Sequence, residues 1–190
     1  MRPDEIKNRN IFDAHCHLDF CLGSKEGLSF IKDISDNLEG AYSFTCTPSD
    51  YLVAKAAFEP FSNICVGLGL HPWYVPEDKK ELIECLEMFK DGYRTYKPLH
   101  IGEVGLDFSA KHISNAQNQI YAFEAICKTI DKKADVLSIH AVLSVEEILA
   151  ILKKFDLPGN VPCVFHRFGG SPQQLREAFA AGCYVSWGSA

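Results

Sequence analysis

The sequence predicts an α/β fold in which about seven parallel strands form a barrel with helices on its outside. Short apolar runs alternate with amphipathic segments of helical period along the chain, a pattern typical of parallel strands joined by crossover helices. The runs are apolar at nearly every position, so we expect both faces of each strand to be covered. No Gly-x-Gly-x-x-Gly follows the first run, which favours a barrel over a dinucleotide-binding sheet.

The first half of the chain contains three predicted strands and three predicted helices. The strands are the apolar runs 11–17, 41–46 and 64–70. The first helix is predicted over 28–38, with Gly40 placed to end it, and the second begins at Pro48. The third covers 77–90. The apolar residues that set the helical period are Leu28, Ile31, Ile34 and Leu38, then Leu52, Ala56 and Phe58, then Leu82, Cys85, Leu86 and Phe89.

The second half continues the alternation with four strands and three helices. The strands are 99–103, 135–140, 161–166 and 183–187. Capping boxes are predicted at 114–117 and 144–147, each starting a helix, and Ser171 caps a third with Pro172 at its first position. The residues predicted to face inward are Ala116, Ile120, Phe123, Cys127 and Ile130, then Ile148, Leu149, Leu152 and Phe155, then Leu175 and Phe179.

Composition limits the classes of function. The net charge of −6 argues against a broad basic surface for nucleic acid, which needs clustered lysines and arginines. The eight cysteines include no Cys-x-x-Cys pair, so we interpret them as reduced, small apolar residues. The N-terminal residues lack the apolar region of a signal peptide, and no run reaches the ~18 apolar residues of a membrane span. The sequence therefore predicts a cytoplasmic protein that does not associate with membranes.

Residues that could bind a metal stand at the ends of five predicted strands. The two-residue period of a strand puts Asp13, His15 and His17 on one face of the first, where the two imidazoles can hold one cation. Because the carboxyl ends of barrel strands converge, residues at the other ends are expected to join them. Those residues are His71, Glu103, His140 and His166. His100 and His112 fit no ligand face, and we assign them structural or surface roles.

This set of side chains suits more than one metal. Several imidazoles with a carboxylate favour Zn²⁺, Mn²⁺ or Fe²⁺, and a carboxylate with water can accept Mg²⁺. Two ions that share a carboxylate can activate water and hold both oxygens at the phosphorus of a phosphoester during its hydrolysis. They would also give an acidic protein the local positive charge that a phosphodiester requires.

Five motifs follow one another along the chain. They are FDAHCHLD at 12–19, GLHP at 69–72, IGEVGLD at 101–107, IH at 139–140 and FHRFGGS at 165–171. In this order they resemble the TatD family of metal-dependent DNases, a branch of the amidohydrolase-like TIM barrels. The resemblance covers almost the whole chain, and the combination is specific although each motif alone is weak.

The resemblance implies a role for each matching residue. Two divalent ions (Mg²⁺, Mn²⁺ or Zn²⁺) are expected, with Glu103 as the bridging ligand. The full set of implied metal ligands is His15, His17, Glu103, His140 and His166. His71 is expected near the substrate phosphate, and Asp107 and Asp13 beside the ligands that they orient. We predict Glu103, His71 and Asp107 as catalytic residues and His71 and Arg167 as substrate-binding residues. Arg167 replaces a small or cysteine residue, so phosphate binding and a surface role both stay open for it.

The resemblance also implies an incomplete barrel. Family members continue to an eighth strand, whose Asp is a further metal ligand, whereas this sequence ends shortly after the seventh. We therefore expect a single hydrolase domain over 1–190 that is short at its C-terminus, with DNA as its substrate and with activity reduced by the missing Asp. A second copy could fill the gap, which leaves a homo-oligomer open. Two alternatives remain: a catalytically weakened metal-binding or interaction module, and a related amide or ester hydrolase.

Overall fold

The computed structural model describes residues 11–188. Residues 1–10, on which the prediction of no signal peptide rests, lie outside that range. The seven strands pair in parallel in the order β1-β2-β3-β4-β5-β6-β7, which confirms the predicted fold class. The strands are β1 (Phe12–Cys16), β2 (Gly40–Phe44), β3 (Ile64–Leu70), β4 (His100–Asp107), β5 (Val136–Val142), β6 (Cys163–His166) and β7 (Tyr184–Val185). The helices are α1 (Gly27–Asn37), α2 (Pro48–Ala57), α3 (Lys79–Tyr96), α4 (Ala116–Thr129), α5 (Val145–Lys154) and α6 (Pro172–Ala180).

The sheet is strongly curled. The ring of His15 on β1 stacks on that of His166 on β6, with ring centroids 3.5 Å apart. Its Nδ1 also lies 2.8 Å from the Ser138 hydroxyl on β5. In a flat sheet with strands about 4.8 Å apart, β1 and β6 would be separated by about 24 Å. The strands therefore wrap around a common axis, and side chains from strands distant in the order meet at one end.

The core fills the space between the sheet and its covering helices. Four fully buried phenylalanines, Phe44, Phe89, Phe123 and Phe165, come from β2, α3, α4 and β6. A smaller apolar cluster lies beneath α1 and α2 and includes Ile31. Burial on both faces explains why β2 to β5 are apolar at nearly every position, whereas β1 and β7 at the sheet edges are only partly buried, against the expectation for every strand. None of the helices within residues 11–188 combines the length and apolar character that crossing a membrane would need.

Several predicted helix boundaries are wrong. Gly40 does not end α1; it is the first residue of β2. Neither predicted capping box forms, because α4 begins at Ala116 after a short 3-10 turn and the Ser144 hydroxyl donates to the Leu106 carbonyl instead. The helix faces also shift, since Leu52 and Phe179 point to solvent. Apolar spacing marks a helix correctly but leaves its rotation and its ends to contacts with the sheet.

Two predicted strands continue further than expected. β4 runs to Asp107 and β5 to Val142. Glu103 and His140 therefore lie inside their strands and not at the ends. The extension occurs because Gly105, His140 and the residues after them continue the parallel pairing between β4 and β5. His166 is the last residue of β6, as predicted.

Candidate metal centre

The Glu103 carboxylate is the centre of the site. It is 3% exposed on the central strand β4. One oxygen, Oε2, lies 3.3 Å from His15 Nε2, 3.2 Å from His17 Nε2 and 3.9 Å from His71 Nε2. The other, Oε1, lies 3.2 Å from His140 Nδ1. Burial alone would raise the pKa of Glu103, but hydrogen bonds from the surrounding imidazoles lower it well below its usual range.

His15 on β1 and His17, which lies just past the end of β1 and not within it as predicted, reach Glu103 because their other ring nitrogens are fixed. His17 Nδ1 donates to the Phe44 carbonyl at 2.7 Å, since a carbonyl can only accept. His15 Nδ1 contacts the Ser138 hydroxyl, and its backbone N–H donates to Asp13 at 3.0 Å. Each Nε2 thus faces the carboxylate. Burial lowers the pKa of His17, but hydrogen bonds with Cys46 and Glu103 outweigh it and raise that pKa to about 10.

His140 and Asp107 form the opposite side of the centre. His140 Nε2 lies 3.1 Å from Asp107 Oδ2, so the ring donates there and turns Nδ1 toward Glu103. Asp107 also accepts from the Trp73 indole N–H at 2.7 Å and from the Ser109 backbone N–H at 2.9 Å. Burial tends to raise the pKa of Asp107, but these hydrogen bonds lower it to about 2. The carboxylate therefore stays ionised and orients the histidine.

His71 enters the centre from the end of β3. Its Nε2 lies 3.1 Å from His140 Nδ1, while its Nδ1 accepts the Trp73 backbone N–H at 3.2 Å. Burial lowers the pKa of His71 to about 4, so the ring is neutral at pH 7. Because Nδ1 is an acceptor, the proton of the neutral ring is on Nε2, which points into the site.

The donor atoms fit divalent cations. Two groups of side chains bring one ligand atom each to within 4.8 Å of one another: His15, His17 and Glu103, and His71, Glu103 and His140. Both groups include Glu103. Imidazole nitrogens with a carboxylate oxygen suit Zn²⁺, Mn²⁺ or Fe²⁺, and Glu103 offers an oxygen to each group.

His166 and Arg167 lie at the edge of this centre. His166 stacks on His15, and its Nδ1 lies 3.3 Å from the Ser186 hydroxyl. It belongs to neither group of donor atoms within residues 11–188. Burial lowers its pKa to about 4. Arg167 takes a left-handed backbone conformation (φ 49°), and its N–H donates to the Ser186 hydroxyl. Ser186 thus fixes the end of β6.

A cavity of about 460 Å³ opens above these side chains. Its walls combine the predicted His17, His71, Glu103, His140, His166 and Arg167 with residues that sequence reasoning missed, namely Phe20, Cys46, Trp73, Tyr74, Ala141 and Val142. Trp73 and Tyr74 directly follow the His71-Pro72 pair, which is the one sequence signal that could have drawn attention to them.

Comparison with known proteins agrees with this geometry. The family model described as TatD related DNase matches residues 12–190. An uncharacterized metal-dependent hydrolase of Buchnera aphidicola is 26% identical over 181 residues, covering 93% of this chain and 66% of that protein. The 3'-5' ssDNA/RNA exonuclease TatD of Erwinia billingiae is 31% identical over 117 residues, covering 62% of this chain and 43% of that protein.

The fold comparison points the same way. The crystal structure of YjjV, a TatD homolog from Escherichia coli K12, superposes with a TM-score of 0.76 at 21% identity, covering 93% of this chain and 67% of that one. The chain thus spans about two thirds or less of the length of the two curated relatives above. The family model and the shared barrel confirm the resemblance found in the motifs, and this chain belongs to the family of TatD-related DNases.

Proposed function

We propose that this chain hydrolyses phosphodiester bonds in DNA with two divalent metal ions bound around Glu103. The observation that carries the proposal is the single buried carboxylate of Glu103, which faces His15 and His17 with one oxygen and His140 with the other. Membership of the TatD-related DNases and the nuclease names of relatives support the substrate class. When bound, such ions lower the pKa of water, polarise the phosphate and stabilise the leaving oxygen.

The proposed ligands follow from which nitrogen of each ring is free. His17 has Nε2 directed at the carboxylate, as does His15, while His140 presents Nδ1 because its Nε2 donates to Asp107. Glu103 would bridge, with one oxygen toward each side. His166 lines the same cavity and stays a predicted ligand.

The proposed role of His71 is to donate a hydrogen bond to a phosphate oxygen. Its Nε2 carries the ring proton, because Nδ1 accepts from the Trp73 backbone. A protonated nitrogen cannot ligate a metal, so the proximity of His71 to Glu103 and His140 is better explained by this donor role. Arg167 lines the same cavity, where a guanidinium can bind phosphate. These groups and the ions would supply the local positive charge that the protein as a whole, at −6, lacks.

The test is nuclease activity and metal content measured on one sample of known oligomeric mass. With Mn²⁺ we expect DNA to be converted to acid-soluble nucleotides, and we expect EDTA, Glu103→Gln or His140→Ala to abolish the reaction. His100→Phe is the matched control, because His100 lies at the opposite end of β4 and should leave activity unchanged.

Turnover that survives both chelation and His140→Ala would exclude this function. Bound metal without hydrolysis of DNA or simple phosphodiesters would instead identify a metal-binding module. Hydrolysis of amides or esters alone would identify a different hydrolase. The cytoplasmic location and the homo-oligomer stay predictions, and the mass measurement tests the second.

A further inference from the structure

Trp73 uses its two N–H groups to contact both sides of the candidate centre. Its backbone N–H donates to His71 Nδ1 at 3.2 Å. Its indole Nε1–H donates to Asp107 Oδ2 at 2.7 Å, a shorter contact than those of that carboxylate with the Ser109 N–H and with His140 Nε2. One side chain in the turn after β3 therefore bonds to a residue at the end of β4. Sequence reasoning assigned Trp73 no role.

The indole contact bears on the orientation of His140. The same oxygen of Asp107 that accepts from the indole also lies 3.1 Å from His140 Nε2. The other oxygen accepts from the Ser109 N–H, so the carboxylate is held at both ends. With the carboxylate fixed, His140 must donate through Nε2 and present Nδ1 to Glu103, 3.2 Å away.

The indole ring is itself held in place although it is 53% exposed. The ring of His112 stacks on one face, nearly parallel and with centroids 5.3 Å apart. Lys111 Nζ lies 5.6 Å from the ring centroid, within the range of a cation–π contact. Both residues come from the loop after β4. These two contacts restrict the orientation of the indole ring despite its exposure, and so keep its N–H directed at Asp107.

We infer that Trp73 is a positioning residue for the metal centre: its indole N–H fixes Asp107, and Asp107 fixes the metal-binding nitrogen of His140. The inference rests on the proposed function, because it assumes an ion between His140 and Glu103. It adds a residue whose indole N–H contacts Asp107 and none of the proposed ligands, although the indole ring also lies edge-on to the ring of His140, with centroids 5.9 Å apart. Partners of this kind typically change metal affinity by 10- to 100-fold when they are removed.

The test replaces Trp73 with Phe, which keeps an aromatic ring beside His112 and removes the indole N–H. We expect Mn²⁺ affinity, measured by equilibrium dialysis without substrate, to fall about 10-fold. Trp187→Phe is the matched control. Trp187 is the second tryptophan, it is 67% exposed, and its ring contacts Phe168 outside the cavity. Its replacement should leave Mn²⁺ affinity unchanged.

A double-mutant cycle with Asp107→Asn separates positioning from a general structural effect. If Trp73 acts through Asp107, Trp73→Phe costs little further affinity in the Asp107→Asn background. The inference is overturned if Trp73→Phe lowers Mn²⁺ affinity equally in both backgrounds, or does not lower it in the native background. In either case the proposed function stands as long as the native chain binds Mn²⁺. A native chain that binds no Mn²⁺ overturns both. Should Trp73→Phe fail to fold, Asp107→Asn alone must lower Mn²⁺ affinity, or the inference is wrong.

Discussion

His71 differs from the other imidazoles around Glu103 in what its second nitrogen does. The Nδ1 of His17 donates to a backbone carbonyl, whereas the Nδ1 of His71 accepts a backbone N–H. This difference decides which ring can offer a lone pair to a metal at Nε2. Distance alone would group His71 with the proposed metal ligands, since its Nε2 lies 3.9 Å from Glu103 Oε2.

The proposed donor role of His71 gives the first prediction. We expect His71→Ala to keep the metal content of the native protein and to lower nuclease activity by about 10²-fold, the usual scale for losing one donor to the transition state. His140→Ala is the comparison, and it should lose both metal and activity. Metal content is measured on the dialysed proteins and activity on DNA. Loss of one equivalent of metal in His71→Ala would make His71 a ligand.

For single residues, the sequence predicts which side chains belong to the candidate centre better than it predicts their hydrogen-bond partners. Strand parity and strand position were enough to pick out Glu103 and the histidines that surround it. Ser138 and Trp73 could not be found in that way. Ser138 meets His15 across 123 positions and Trp73 meets Asp107 across 34, so no local pattern links either pair. Such partners depend on the curl of the sheet.

Among the elements, α6 has the one capping box that the structure shows in residues 11–188. The Ser171 hydroxyl accepts from the Gln174 N–H at 3.2 Å, and the Gln174 side chain accepts from the Ser171 N–H at 2.8 Å. Pro172 occupies the first turn, where its missing N–H costs nothing. α6 connects β6, which carries His166, to β7.

The cap gives the second prediction. Ser171→Ala should lower the free energy of unfolding by about 1 kcal/mol, because it leaves an N–H at the helix start without its partner. Ser114→Ala is the matched control: the sequence predicts a capping box at that serine too, but α4 begins without a side-chain cap. We expect a change within about 0.5 kcal/mol there. If urea unfolding gives the same loss of unfolding free energy for Ser171→Ala and Ser114→Ala, the capping hydrogen bond of Ser171 is not what stabilises α6.

The contrast between Ser171 and Ser114 shows that the sequence predicts where helices lie better than it predicts how they are capped. The spacing of apolar residues located all six helices, because an amphipathic helix repeats its apolar positions with the helical period, although the spacing did not fix which of those positions are buried. Capping depends on the backbone angles of the residue before the helix, and those are set by how the preceding loop returns from the sheet. The Ser144 hydroxyl donates to the Leu106 carbonyl and makes no capping hydrogen bond to its own helix, α5.

For the whole molecule, the candidate centre joins segments that are far apart in the chain. Its imidazoles and carboxylates come from β1, β4 and β5 and from the residues directly after β1 and β3, and the sheet must curl before they can meet. Metal binding therefore requires the folded chain. Alternation of strands and helices predicted the barrel, but the stacking of His15 on His166 shows how strongly the sheet curls, and that depends on packing in the core.

This linkage gives the third prediction. A ligand that binds only the folded state stabilises it by about 2.7 kcal/mol at a free concentration of 100 times its Kd. Mn²⁺ should therefore raise the unfolding midpoint, and EDTA should reverse the shift. Differential scanning fluorimetry across a Mn²⁺ series measures it. Glu103→Gln should respond much less than the native protein. A midpoint that Mn²⁺ leaves unchanged would argue against binding within the folded barrel.

The fourth prediction concerns the pH dependence of stability and a histidine away from the ligands. His100 is the first residue of β4, and its ring packs against that of Tyr42 on β2, with ring centroids 4.5 Å apart. Burial lowers the pKa of His100 below its ordinary 6.5, with Asp135 opposing the shift. The unfolded chain therefore binds a proton at His100 more readily than the folded chain. Stability from the neutral ring is present above pH 6.5 and is lost as the pH falls through the lowered pKa.

His100→Phe tests this argument because it keeps a ring against Tyr42 and removes the titration. We expect the native protein to lose more free energy of unfolding than the variant between pH 7.5 and pH 5.5, measured by urea unfolding with EDTA present. Other titrating groups contribute equally to both proteins and cancel in the difference. A difference that stays constant over this range would mean that the pKa of His100 is the same in the folded and unfolded chain. A larger loss in the variant would mean that the folded state holds the charged ring, with Asp135 outweighing burial.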